Sequence, residues 1–203
     1  MQLARTYIST PLGEMLALAS DEGLCALEFT GPRIPKSEVR SQKPEAGPKV
    51  RFQSSDVATG DRLTRLDARL SRWFPPHEIV DAEPRVIART RKWLASYFAG
   101  TSAAAPDIPL DMRGAEFEKR VWTALRAIPP GQTTSYGAIA KSLGDAGASR
   151  AVGAANGANP VAIIVPCHRV IGSTGSLTGY GGGLKRKQWL LDHERRWRDG
   201  QLF

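Results

Sequence analysis

Two cysteines, Cys25 and Cys167, and three histidines, His77, His168 and His193, are the chain's candidate nucleophiles and bases. Only at Cys167-His168 do the two residue types stand side by side. A nucleophilic cysteine needs access, a thiolate and a rigid mounting. An unperturbed thiol titrates near about 8.5, so only a few per cent is ionised at neutral pH, and each unit of lowering takes about 1.4 kcal/mol. His168, Arg169 and a helix N-terminus are the groups able to supply that. The mounting is read as a short apolar strand, Val161–Val165, opened by Asn159-Pro160 and ended by Pro166. Neighbouring side chains on an extended chain point apart, so a water would have to bridge the thiol and the imidazole. As an isolated dipeptide, Cys-His more often marks a structural thiol beside a surface histidine. Glu194, further along, is a carboxylate able to orient a histidine.

The segment after the dipeptide is unusual. Residues 172–183, GSTGSLTGYGGG, hold six glycines and one tyrosine, Tyr180. Glycines let backbone groups come close to a ligand. The segment lacks the GK[ST] ending of a phosphate-binding loop and sits in no βαβ unit, which excludes a P-loop or dinucleotide site. A helix over Leu184–Glu194 follows. Lys185, Arg186 and Lys187 fall in its first turn, where the helix dipole opposes them. That placement suggests phosphate holding, with a solvated basic face as the alternative. The cysteine and histidine spacings match no zinc site, so no metal is expected.

These residues need elements to position them. Residues 3–30 alternate apolar and polar in three short runs, with turns at Pro11-Leu12-Gly13 and Asp21-Glu22-Gly23, which predicts a three-strand meander. Cys25 lies inside the third run and reads as a buried core residue. Residues 31–60 carry no sustained periodicity and read as a long loop or insert. Helical spacing predicts helices over 61–74, 84–99 and 114–127. Residues 101–111, TSAAAPDIPLD, form a linker, so the chain divides into units 1–110 and 111–203. In the second unit, Thr134-Ser135 caps a short helix, Tyr136–Leu143, which Gly144 ends. Ser149 is placed to cap a second short helix, RAVGAANG. This is helix–turn–helix spacing, and the small residues of the second helix allow close approach to another surface. Tight packing of the two helices on each other is the alternative.

Charge points the same way. Net charge is +8, and residues 1–110 carry 15 basic and 13 acidic side chains, against 13 and 7 in residues 111–203. The positive excess lies in the second half, which suits a polyanion such as nucleic acid. No run reaches the roughly 20 apolar residues of a membrane span, and the first twenty residues lack the apolar core of a signal peptide. A cytoplasmic protein is expected.

Residues 159–194, NPVAIIVPCHRVIGSTGSLTGYGGGLKRKQWLLDHE, closely resemble the active-site region of the O6-alkylguanine-DNA alkyltransferases, or methylated-DNA–protein-cysteine methyltransferases. The PCHRV core is specific to that family, and SYGAIAKSLG and SRAVGAANGANP match its DNA-binding segments. The strand-rich first half matches in outline. The resemblance implies an α+β fold. A small N-terminal sheet unit of RNase H-like outline would precede a mostly helical, winged-helix-like unit. It implies direct-reversal repair, in which an alkyl group passes irreversibly from guanine, or thymine O4, to Cys167, once per molecule. His168 would be a general base through water, Glu194 would orient it, and Asn159 would brace the turn. Tyr136, Val170, Tyr180 and Gly181 would bind the extruded nucleotide. Ser149, Arg150, Ala151 and Lys187 would contact DNA, with Arg150 filling the vacated stack and Lys187 holding phosphate. Double-stranded DNA with alkylated bases would be the partner of a monomer. No cofactor would be needed, because the DNA supplies the alkyl group. Two positions depart from some relatives: Gly181 replaces a serine and Ala162 a proline, which implies a wider pocket.

Three other functions each demand a different feature. A protein that only recognises alkylated bases would lack the acceptor cysteine. A Cys-His hydrolase would turn over repeatedly without DNA and would need an oxyanion hole. An alkylation-sensing regulator would carry a further domain.

Overall fold

The computed structural model describes residues 1–31, 58–74, 76–102 and 106–198, with the backbone alone at 58–63 and 65. Most of the segment read as an insert therefore lies outside the described residues.

The fold is α+β. The meander forms as expected: β1 (Gln2–Thr10), β2 (Gly13–Ala19) and β3 (Leu24–Phe29) pair antiparallel. A fourth strand, β4 (Glu78–Asp81), which the sequence reading did not foresee, runs parallel to β1 and completes the order β3-β2-β1-β4. Period-two alternation sends the two sets of side chains to opposite faces. Leu3, Leu16, Leu18, Cys25 and Ala26 pack with Leu66, Leu70 and Phe74 on and just after α1 (Ala58–Trp73). Ile8, Met15, Ala17, Leu27 and Phe29 join the main core with α2 (Arg85–Phe98) and α3 (Glu116–Arg126). Cys25 is fully buried, as expected.

The outer edge of β3 is not left open. Leu24 donates its N–H to Pro109 O, and Asp111 N donates to Leu24 O. Gly23 permits this approach, since a Cβ there would stand 2.6 Å from Pro109 O. Further along the same edge, Leu27 N donates to Pro160 O and Ala162 N donates to Leu27 O, each at 2.9 Å. The sheet of the first half thus carries the chain just ahead of Cys167.

Ser135 caps α4 (Tyr136–Ser142) through Ala138 N at 3.1 Å, and Gly144 follows its end with a positive φ of 91°. The next helix, α5 (Ser149–Gly157), differs from expectation at its start. Ser149 is the first helical residue, Ala148 occupies the cap position, and no side chain caps it. β5 (Thr134–Ser135) and β6 (Val170–Ile171) form a short parallel ladder beside these helices. The last helix, α6 (Leu184–Arg198), runs past Glu194. Among the described residues no helix is long and apolar enough to cross a membrane.

Candidate active site

Residues 161–165 are not the strand that their apolar run suggested. Val161 makes a single bridge to Leu27, and the chain then turns, with Ile163 at φ 71°. The run is apolar because the turn is buried on every side. Asn159 fastens it at both ends: its Nδ2 donates to Val165 O at 2.8 Å, and its Oδ1 accepts from Val161 N at 3.0 Å. Pro166 and a single 3-10 turn, Cys167–Arg169, follow. Cys167, the candidate nucleophile, is therefore mounted on a turn bonded to the edge of β3.

Cys167 stands on the wall of a cavity of about 300 Å³. Tyr136, Asn159, Ala162, Tyr180 and Gly181 share that wall. Five lining residues outside the glycine-rich loop were not anticipated: Glu28 on β3, Arg69 on α1, and Gly153, Asn156 and Gly157 on α5. Arg69 Nη1 lies 3.5 Å from Glu28 Oε1. Gly182 gives the loop its close approach, because a Cβ would fall 2.7 Å from the Tyr180 ring and 3.0 Å from Phe29. The Tyr136 hydroxyl donates to Thr178 O at 3.4 Å.

Behind Cys167 lies a buried polar relay. His168 and Glu194 are both wholly inaccessible, and His168 Nε2 lies 2.9 Å from Glu194 Oε1. Arg169 donates to both oxygens of Glu194, from Nε at 2.9 Å and Nη2 at 2.8 Å. It also donates from Nη1 to Ile128 O. Tyr97 Oη donates to Glu194 Oε1 at 2.8 Å, and Gly131 N to Oε2 at 3.1 Å. Burial alone would raise the Glu194 carboxyl, but His168 and Arg169 outweigh it and hold it well below the usual carboxylate range. Burial lowers the His168 pKa below 6.5, against the opposing pull of Glu194. The stable arrangement is an ionised Glu194 paired with Arg169, and a neutral imidazole. With Nε2–H donated to the carboxylate, Nδ1 carries the lone pair. That atom is buried and has no hydrogen-bond partner.

Two basic residues depart from their predicted place. Lys187 is fully buried, and its Nζ donates to Val170 O and Thr178 O, each at 2.6 Å, and to Gly179 O at 3.3 Å. It cannot reach a phosphate. Burial pushes its pKa down to about 8, against the attraction of Cys167. Its ammonium ties the turn after Cys167 to the loop before Tyr180. Arg186 is also buried, bonded to Leu12 O and Gly182 O. Lys185 alone of the three stays partly at the surface. Val170 does not line the cavity: its side chain is buried and its carbonyl is taken by Lys187. Arg169, considered as a partner of the thiolate, serves Glu194 instead.

The outer surface of α5 carries the remaining predicted residues. Arg150 and Ala151 are exposed and Ser149 is half-buried, while Ala154 and Gly157 extend the exposed stripe. The same helix turns Gly153 and Asn156 toward the cavity. One helix therefore borders both the open surface and the Cys167 pocket.

Residues 116–196 match the family model for the DNA-binding domain of 6-O-methylguanine DNA methyltransferase. The methylated-DNA–protein-cysteine methyltransferase of Mycobacterium bovis is 49% identical over 136 residues, covering 67% of this chain and 82% of that protein. The chain belongs to the methylated-DNA–protein-cysteine methyltransferase family. The enzyme of the same name from Mycolicibacterium paratuberculosis is 61% identical over 113 residues, covering 56% of this chain and 68% of that one. Solved structures agree as well. Mycobacterium tuberculosis OGT, solved in complex with DNA, superposes with a TM-score of 0.66 at 34% identity, covering 100% of this chain and 99% of that one.

Tyr97 and Gly131, both outside the motif of the methyltransferase family quoted above, were missed from sequence. Tyr97 carried one signal: a phenol on the apolar face of a helix needs a partner for its hydroxyl. The relay also sets an acid limit. As pH falls through about 6.5, the unfolded chain protonates His168 and His193, whose burial keeps them neutral when folded. Stability is full above that pH and declines below it. Glu194, depressed by its partners, adds a further loss at lower pH. Thermal melts should show Tm falling between about pH 7 and about pH 5. A flat profile would contradict the neutral, buried imidazoles.

Proposed function

We propose that this member of the family repairs alkylated bases in double-stranded DNA, with Cys167 as the acceptor. The observation that carries this reading is the placement of Cys167 at the cavity wall. The His168–Glu194 relay lies behind it and α5 beside it. The alkylated oxygen of guanine is buried in the duplex, so the nucleotide must be extruded, at a cost of a few kcal/mol. Arg150, exposed near the start of α5, fills the vacated space, and the basic excess of residues 111–203 contributes phosphate attraction.

In the reaction the Cys167 proton passes through a water to His168 Nδ1. The thiolate attacks the alkyl carbon, a sulfur–carbon bond forms, and the carbon–O6 bond breaks with its electron pair going to the purine. The proton returns to the purine ring. The Lys187 ammonium and the thiolate attract each other. The thioether is not reversed by water, so each molecule acts once. The protein works as a monomer in the cytoplasm, with residues 1–110 as the support and 111–203 as the reacting unit.

The test is stoichiometry. With excess duplex containing O6-methylguanine, methyl transfer should stop at one group per chain. Repeated turnover would favour a hydrolase, and binding without transfer a recognition protein. For the DNA side, Arg150→Ala should slow repair of duplex about ten-fold or more, one lost charged contact, and spare the reaction with free O6-benzylguanine. Equal losses on both substrates would remove the stack-filling role.

A further inference from the structure

Asn156 has no place in the relay or in the brace of the active-site turn. It is only 5% exposed, on the inner side of α5, and it lines the cavity with Cys167. Its Oδ1 is buried without a hydrogen-bond partner. Leaving a buried polar atom unpaired is costly, of order 1–3 kcal/mol. On a side chain that lines a cavity, such an atom gains a partner when a ligand enters and the carboxamide turns toward it. Its neighbours Val152 and Ala155 on α5 are buried and apolar.

Much of the remaining wall is small residues. The cavity of about 300 Å³ reaches the lower bound of small-molecule sites. Ala162 and Gly181, both small, stand on its wall beside Cys167. A methyl group offers Asn156 nothing. A substituent that ends in a hydroxyl offers both a donor and an acceptor, so it satisfies the carboxamide whichever way the amide is turned.

We infer that Asn156 is a specificity-determining residue that selects hydroxyl-bearing alkyl groups, of the 2-hydroxyethyl class, over hydrocarbon groups of the same size. This rests on Cys167 being the alkyl acceptor. No change in the transfer chemistry is needed: the carbon bonded to O6 moves to sulfur as for methyl, and the hydroxyl stays on the transferred group.

The test is a competition. Limiting protein is mixed with equal amounts of duplex carrying O6-(2-hydroxyethyl)guanine and O6-propylguanine, which differ by one hydroxyl in place of one methyl. The two cysteine adducts are counted by mass. The ratio is set within one sample, so a partly folded variant still reports it. The native chain should favour hydroxyethyl about five- to ten-fold, the worth of one hydrogen bond. Asn156→Leu, which keeps the size without the polarity, should bring the ratio to one or below. Asn156→Ala, set among the alanines of α5, should do the same. Variants that keep the native ratio, or a native chain that prefers propyl, would overturn this inference alone. No adduct of either kind from a chain that takes up methyl would also overturn this inference alone, and no methyl uptake either would overturn the acceptor role of Cys167 and this inference with it.

Discussion

Cys167→Ala is expected to take up no methyl group from O6-methylguanine duplex while keeping its fold. The other thiol cannot substitute. Cys25 is fully buried on the far face of the sheet, and burial pushes its pKa up to about 11. At neutral pH it stays a protonated, inaccessible thiol. The loss of one sulfur at a cavity wall costs about 1 kcal/mol of burial, too little to unfold a domain of ordinary stability. The variant should therefore melt cooperatively and still retard lesion-bearing duplex in a gel. Methyl uptake by this variant would place the acceptor elsewhere.

Glu194→Ala should be the most damaging single change to stability, at about 3–5 kcal/mol. Five donors converge on this carboxylate: Tyr97 Oη, His168 Nε2, Gly131 N, and Arg169 Nε and Nη2. Removing it leaves the Arg169 guanidinium, only 7% exposed, as an uncompensated buried charge. It also removes the acceptor that fixes the imidazole tautomer, so whatever fraction stays folded should react slowly, by a factor of about 10² or more. Urea denaturation measures the first effect, and single-turnover transfer per folded molecule measures the second. A loss under about 1 kcal/mol would mean that the cluster behaves as an exposed ion pair.

The meander was legible because alternation and turn residues act locally, and α4 because Ser135 and Gly144 mark its ends. The Val161–Val165 run misled for a physical reason. A short apolar run says only that the residues are buried, and a buried turn meets that condition as well as a strand does. β4 was missed because four residues, two of them acidic, form a strand only with β1 as a template. Lys187 was misread because helix position says nothing about the three carbonyls that enclose its ammonium, which come from residues 170, 178 and 179. The pairing of Cys167 with His168 was suggested by adjacency. The parts that surround the two residues come from afar: Tyr97 on α2 bonds Glu194, Arg69 on α1 lines the cavity, and Leu27 on β3 holds the turn.

Peptide mapping of the native chain after reaction with O6-methylguanine duplex tests the acceptor assignment most directly. The account predicts S-methylcysteine on the peptide holding Cys167, one per chain, with the Cys25 peptide unmodified. Methyl on Cys25, or methanol released while Cys167 stays free, would contradict it.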